Sequence, residues 1–297
     1  MRKKRLNSDT IFSFFNLFFL LIVLFLMLYP FWYVVMTSFS DAGRILKEGN
    51  VILWPRGFSL DGYKQLLMYK ALPQYFINTL IYVVLGTLLR IIVASLAGYS
   101  LSVKRFVAGK FIMIAMVITM FISGGLIPTY MLIKSLNGFD TIWVMVIPGA
   151  IDVYTCIVFK TFFQQLPGEL KDAAEIDGAN DLLMLTRIIL PVSKPLLATF
   201  AIFAIVGYWN EWFSALLYLN SKSMHPIQMF LRNLLVSMQT IASESGSAGK
   251  IVSMDALIKA RIVRMCSIVV STLPIILIYP FFQRFFTKGI IVGSLKG

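Results

Sequence analysis

The sequence predicts an all-α membrane protein with six transmembrane helices, and three observations carry that reading. Of its 297 residues, 58% are hydrophobic and only 14% charged, with a mean hydropathy of +0.81, more apolar surface than a soluble core can hide. The apolar residues fall in long runs, and a helix needs about 20 residues to cross a bilayer. The runs do not alternate over about ten residues, as strands of a membrane barrel do.

The elements follow in order. The basic opening MRKKR precedes a charge-free stretch from Thr10 to Ser40. That stretch is too long for the apolar segment of a cleaved signal, and no small-residue cleavage site closes it. It reads as a retained first span within 11–36. The other spans read as 76–103 with Arg90 inside, 111–133, 141–163 with Asp152 and Lys160 inside, 195–219 with Glu211 inside, and 265–285. Gly124-Gly125 with Pro128, and Pro148-Gly149, are placed to kink or unwind spans three and four, as gates or as plain packing features. Arg90 and Asp152 are costly against lipid and should face protein or water; pairing with each other is one way to satisfy both.

Basic flanks set the orientation. Arg2, Lys3, Lys4 and Arg5 put an N-terminal segment, 1–10, in the cytosol, and an even number of spans returns the tail 286–297 there. Lys104, Arg105 and Lys110 then lie in a short cytosolic loop, and 165–194 is cytosolic too. Segments 37–74 and 220–258 become outer loops, the first holding Trp54-Pro55 and partly ordered. The formal charge of +13 is read as these topology-setting residues and their attraction to anionic lipid, not as a nucleic-acid surface. Phe, Tyr and Trp suit lipid contact. Cys156, Cys266 and His225 lack metal spacing and read as packing or loop residues. Gly249-Lys250 lacks the earlier glycine of a phosphate loop, since Glu244 stands there. No other nucleotide motif is present, so any ATP that drives this protein binds another chain.

The most informative segment is the polar island ELKDAAEIDGANDLLMLTRIILPVSKP, from Glu169 to Pro195. Pro167-Gly168 starts a helix, and Glu169 and Asp172 suit its positive end. Glu169, Asp172 and Glu175 form an acidic stripe, and Leu170, Ala173, Ala174 and Ile176 supply an apolar side. Gly178 allows a left-handed turn, and Asp181 is placed to cap a second helix ending near Pro191. The product is a helix–turn–helix in which the small Ala173-Ala174 pair admits a partner backbone and the stripe meets arginines. A plain solvated loop is the competing reading.

Spacing separates the two. Asp172-Ala173-Ala174, three residues, Gly178 with Ala179, then Ile188, one residue, and Leu190-Pro191 resemble the EAA loop of ABC importer permeases, EAA-x3-G-x9-I-x-L-P. The one departure is Asp172 for the first Glu, a carboxylate one methylene shorter. Asn78-Thr79-Leu80 resembles the family's N-S-L, Ile127-Pro128-Thr129-Tyr130 its I-P-x-Y, and Trp209-Asn210 its W-N. The ending YPFFQRFFTKGIIVGSLKG, through Gln283, Gly289, Gly293, Lys296 and Gly297, resembles the carbohydrate-importer branch that includes maltose permeases.

The resemblance implies a type I ABC importer permease fold over 11–297 with a cytosolic coupling helix. It implies a bacterial plasma-membrane subunit that imports a carbohydrate, an oligosaccharide, beside a second homologous permease, two ATPase subunits holding ATP and Mg, and an extracellular solute-binding protein. The coupling residues are then Glu169, Asp172, Ala173, Ala174, Glu175, Asp177, Gly178, Ala179, Leu190 and Pro191. The resemblance also implies a second ATPase contact in the tail, at Gly293, Ser294, Lys296 and Gly297. For the solute path, Trp209, Asn210 and Glu211 are candidates because aromatic faces stack on sugar rings and amides or carboxylates bind hydroxyls; Asn78 is another. An interfacial role for the Trp209–Trp212 cluster stays open. A non-sugar solute, and a self-sufficient secondary transporter, are the alternatives; no internal repeat is visible for the latter. No metal set or nucleophile–base pair suggests an intramembrane enzyme.

Overall fold

The computed structural model describes residues 8–48, 53–247 and 254–294. Among these the regular elements are all helical, and one isolated bridge pairs Ser40 with Phe58. The chain divides into two compact units, Met1–Lys70 with Asn233–Thr272, and Ala71–Arg232 with Leu273–Gly297.

The first unit contains α1 (Ser8–Ser38), α2 (Ala42–Glu48) and α3 (Asp61–Leu67). Side chains of α1 from Phe12 to Leu28 are almost all exposed and apolar, as lipid contact requires. Its end is the reverse: Thr37 and Ser38 are buried, and their hydroxyls bond carbonyls one turn back at 2.7 Å. Ser38 also meets the Tyr63 hydroxyl at 2.8 Å, and the Cys266 thiol donates to its carbonyl at 3.4 Å. Cys266 is therefore a packing residue, as expected from sequence.

The second unit is built on α4 (Leu72–Ser102). It continues through α5 (Gly109–Phe121), α6 (Leu126–Ser135), α7 (Ile142–Val146) and α8 (Val153–Gln165). A hairpin of α9 (Gly168–Ile176), α10 (Asp181–Leu183), a π turn (Met184–Ile189) and α11 (Leu190–Val192) follows. Then come α12 (Lys194–Trp209), α13 (Phe213–Tyr218), a 3-10 turn (Lys222–Met224), and the start of α14 (Ile227–Ser247). The last helix, α15 (Met254–Ser294), begins in the first unit and ends in the second.

Phe12–Ser38, Leu72–Ser102 and Leu257–Phe281 are single helices long and apolar enough to cross a bilayer. The predicted spans 111–133, 141–163 and 195–219 are each interrupted. In the first, α5 and α6 meet at 117° across a break at 122–125. Gly125 has φ 88°, Ser123 Oγ accepts its N–H at 3.2 Å, and Pro128 enters the first turn of α6, where its missing N–H costs nothing. In the second, Pro148-Gly149 lie between α7 and α8. In the third, the chain leaves the helix at Asn210–Trp212. Hydropathy registers side chains and not backbone breaks, so the third interruption was invisible to it.

α4 packs against α8 and α12, and one close approach is made by glycines. Tyr208 lies against Gly86 and Gly149; a Cβ on either would stand 2.4 or 2.7 Å from its atoms. The Tyr208 hydroxyl donates to the Val146 carbonyl at 3.0 Å. Two apolar clusters flank this contact. One, around Tyr82, Val144, Met145 and Tyr218, lies toward α13. The other joins Ala94, Cys156, Phe159, Phe163 and Phe200 to the hairpin's Ala174, Met184, Leu185 and Ile189. Its phenyl rings stack edge-on, Phe159 with Phe163 at 5.8 Å and with Phe200 at 5.4 Å.

Candidate functional site

The hairpin closes by backbone geometry. Gly178 has φ 78°, the Ala179 N–H reaches the Ala174 carbonyl at 2.9 Å, and the Gly178 N–H reaches that of Glu175 at 3.1 Å. This pair of bonds is a Schellman motif, which needs a left-handed residue at Gly178. Asn180 then caps the second arm, its side chain accepting the Leu183 N–H at 2.8 Å. The sequence reading gave that role to Asp181. With the cap filled by Asn180, the Asp181 carboxylate turns instead to Arg105 and Tyr99. In the π turn the Leu190 N–H reaches back five residues to Leu185. Pro191 follows, and a proline has no N–H to keep an α register. Ser193, fully buried, ends the arm by donating to the Ile189 carbonyl at 2.7 Å, and the chain bends 84° into α12.

The hairpin has two faces. Ala174 is 5% exposed and packs with Met184, Leu185 and Ile189 in the cluster shared with α4, α8 and α12. Its small side chain lets α9 lie close to its own second arm, which corrects the expectation that Ala174 admits a partner backbone. Ile176, about 200° further round the helix, is 86% exposed, so the expected single apolar side of α9 is split. Glu169, Asp172, Glu175, Asp177, Gly178 and Pro191 are exposed; Ala179 and Leu190 are half-buried. The side chain of Ala173 lies outside the described atoms. Sequence reasoning missed Ile176 as an open apolar group; its place two residues after Ala174 was the available signal.

The polar residues of the predicted spans have definite partners. Arg90 Nη2 lies 2.6 Å from Asp152 Oδ2, so of the ways to satisfy these two residues the pairing with each other is the one present. The same Asp152 carboxylate caps α8, accepting the Thr155 N–H at 3.3 Å and the Thr155 hydroxyl. Asn78 is buried, and its amide donates to the Ser223 carbonyl at 2.7 Å and the His225 carbonyl at 3.0 Å. Beside it, Thr79 accepts the Ile227 N–H at 2.9 Å and the Tyr82 hydroxyl donates to Met224 at 2.7 Å. Asn78 therefore ties the 222–227 segment to α4.

Trp209 is 1% exposed, with Phe76 at 6.4 Å, so its ring is turned into the protein and presents no face for stacking a sugar. The open ring is that of Trp212, with the Arg232 guanidinium 5.6 Å from its centroid. Asn210 is exposed and accepts from Gln228 at 3.2 Å. Glu211 is half-buried and accepts the Ser214 N–H at 2.9 Å, restarting the helix as α13. Gly293 and Ser294 end α15, and Lys296 and Gly297 lie outside the described residues.

One further corner was not foreseen. Asp140 sits at φ 53° and accepts the N–H groups of Asn220 and Ser221 at 2.7 and 2.8 Å. The Ser221 N–H above all holds its carboxyl below the usual carboxylate range.

Comparison with known proteins adds three findings. A family model described as "Binding-protein-dependent transport system inner membrane component" matches residues 90–292. The chain is 36% identical to the polygalacturonan/rhamnogalacturonan transport system permease protein YtcP of Bacillus subtilis (strain 168), covering 99% of this chain and 100% of that protein. It is 38% identical to protein LplC of the same organism over 90% of this chain and 89% of that one. Its fold is similar to that of a chain in the crystal structure of a bacterial ABC transporter involved in the import of the acidic polysaccharide alginate. The TM-score is 0.83 at 27% identity, over 96% of this chain and 100% of the other.

Proposed function

The chain belongs to the family of binding-protein-dependent transport system inner membrane components, and from this we infer that it forms half of the translocation path of an ATP-driven carbohydrate importer. It pairs with a second homologous permease, two ATPase subunits and an extracellular solute-binding protein. ATP and Mg bind the ATPases, and this chain catalyses no bond chemistry. Both its termini are cytosolic, on the evidence of the basic flanks. The solute is an oligosaccharide. A carboxylate-bearing one is favoured by the system for which the 36% identical relative is named and by the acidic polysaccharide of the structural neighbour. Asn210, Glu211 and the open ring of Trp212, at the break between α12 and α13, are the path candidates.

The observation that carries this reading is the two-faced hairpin. Its outward face offers the exposed Ile176, with the exposed Glu169 on the same helix, to an ATPase. Its inward face shares one packed cluster with α4, α8 and α12. A packed cluster moves as a body and does not deform continuously. When ATP closes the ATPase pair, a hairpin gripped at its outward face carries those helices with it and switches access to the path.

Purification of the complete importer in mild detergent tests the grip. Burial of an isoleucine at an interface contributes roughly 1.5–3 kcal/mol, so Ile176→Asp is expected to lower ATPase recovery about tenfold or more. Recovery equal to wild type, or no ATPase with the wild-type chain, would contradict the reading.

A further inference from the structure

We propose that Arg105 is a positioning residue that fastens the coupling hairpin to α4, making α4 a strut driven directly by the hairpin. This rests on reading the hairpin as the coupling element.

Arg105 lies three residues beyond the end of α4. Its Nη2 reaches both carboxylate oxygens of Asp181 at 2.8 Å, and its Nη1 approaches Glu175 at 3.9 Å. One turn inside α4, the buried Tyr99 donates its hydroxyl to the same Asp181 at 2.9 Å. Both arms of the hairpin are thus tied, through Glu175 and Asp181, to one end of α4. A groove of about 650 Å³ lies between the loop after α4 and the hairpin, lined by Arg105, Gln164, Asp172 and Glu175 among others, so the ties bridge a gap that apolar packing leaves open. The Arg105 side chain is 65% exposed and that of Asp181 58%. Exposed ion pairs contribute little to folding, so this arrangement serves position more than stability.

The rest of α4 gives the tie its consequence. The helix has 31 residues, about 46 Å of rigid rise. At its middle Arg90 holds Asp152, the N-cap of α8 that follows the Pro148-Gly149 break. At its far end Asn78, Thr79 and Tyr82 hold the 222–227 segment. A displacement entering at Asp181 therefore reaches the break before α8 and the 222–227 segment at the far end of α4 through one helix. The adjoining helices α8 and α12 carry a second route through the apolar cluster.

The test uses the complete importer in proteoliposomes with its binding protein, measuring solute moved per ATP hydrolysed. Arg105→Glu and Asp181→Arg are each expected to lower that ratio up to about fivefold, the range of an exposed ion pair, with ATPase recovery unchanged. The double reversal is expected to recover part of the ratio, since it rebuilds the pair between positions 105 and 181 but sets a carboxylate beside Glu175. Arg105→Lys is expected to fall between, because an ammonium cannot serve Asp181 and Glu175 together. Wild-type ratios in both single variants, or a double variant no better than either, would overturn the proposal. Ile176→Asp run alongside separates the causes. If it releases the ATPase while the Arg105 variants stay coupled, only the fastening falls; if it changes nothing, the hairpin reading falls and the fastening with it.

Discussion

At Gly178 the constraint is torsional. A Cβ there would meet nothing within 4 Å, so a side chain is refused by φ 78° and not by neighbours. Gly178→Val is expected to strain the turn by roughly 1–2 kcal/mol and to cut solute uptake while membrane insertion stays intact. Uptake assays beside membrane immunoblots check this; undiminished uptake would count against a coupling turn. Asp140 presents a second single-residue case. A carboxyl whose folded pKa is depressed contributes fully above its unfolded value, near ~3.9, and loses that contribution as pH falls through the lower folded value. The corner at Asn220 and Ser221 is thus expected to loosen only below about pH 4. Asp140→Gly keeps the left-handed backbone but has no carboxylate, and is expected to speed hydrogen exchange of those two amides at neutral pH. Unaltered protection would refute the tie. Some residues were legible beforehand and others were not. Arg90 and Asp152 declared a need for a partner because each is expensive in lipid. Trp209 did not declare its direction, since adjacency to Asn210 says nothing about which way the ring turns.

The helices divide in the same way. Long uninterrupted runs such as Leu72–Ser102 were readable because hydropathy and helix length agree there. The break at 122–125 and the one holding Pro148 were foreshadowed by Gly and Pro. The break at Asn210–Trp212 has neither, and rests on Glu211 starting α13 afresh. The hairpin was located by the spacing of its Gly178 and Leu190-Pro191, both of which end helical registers. Its faces were not, because the split between Ala174 and Ile176 depends on what the second arm packs against. Packing of α4 on α12 yields a sharper expectation. A Cβ on Gly86 would sit 2.4 Å from the Tyr208 ring. Gly86→Ala is expected to destabilise the protein by roughly 1–3 kcal/mol through overpacking, and Gly86→Ala combined with Tyr208→Ala is expected to cost less than the two single losses added. Thermal unfolding in detergent reads this; additive losses would show that the two helices are not held at that contact.

Taken entire, the chain is a helical membrane component of a binding-protein-dependent transport system. The function proposed above leaves ATP hydrolysis to a separate subunit and gives the polar hairpin the task of receiving its motion. Family membership, the 36% identical relative over nearly all of the chain and the 0.83 fold match are consistent with that division of labour. Purified chain placed alone in liposomes, and then with the companion permease, both ATPases, the binding protein and ATP, decides the matter by solute uptake. We expect no uptake from the lone chain and ATP-dependent uptake from the assembly. Full-rate uptake by the lone chain would contradict the hairpin's role as the point where an external engine takes hold.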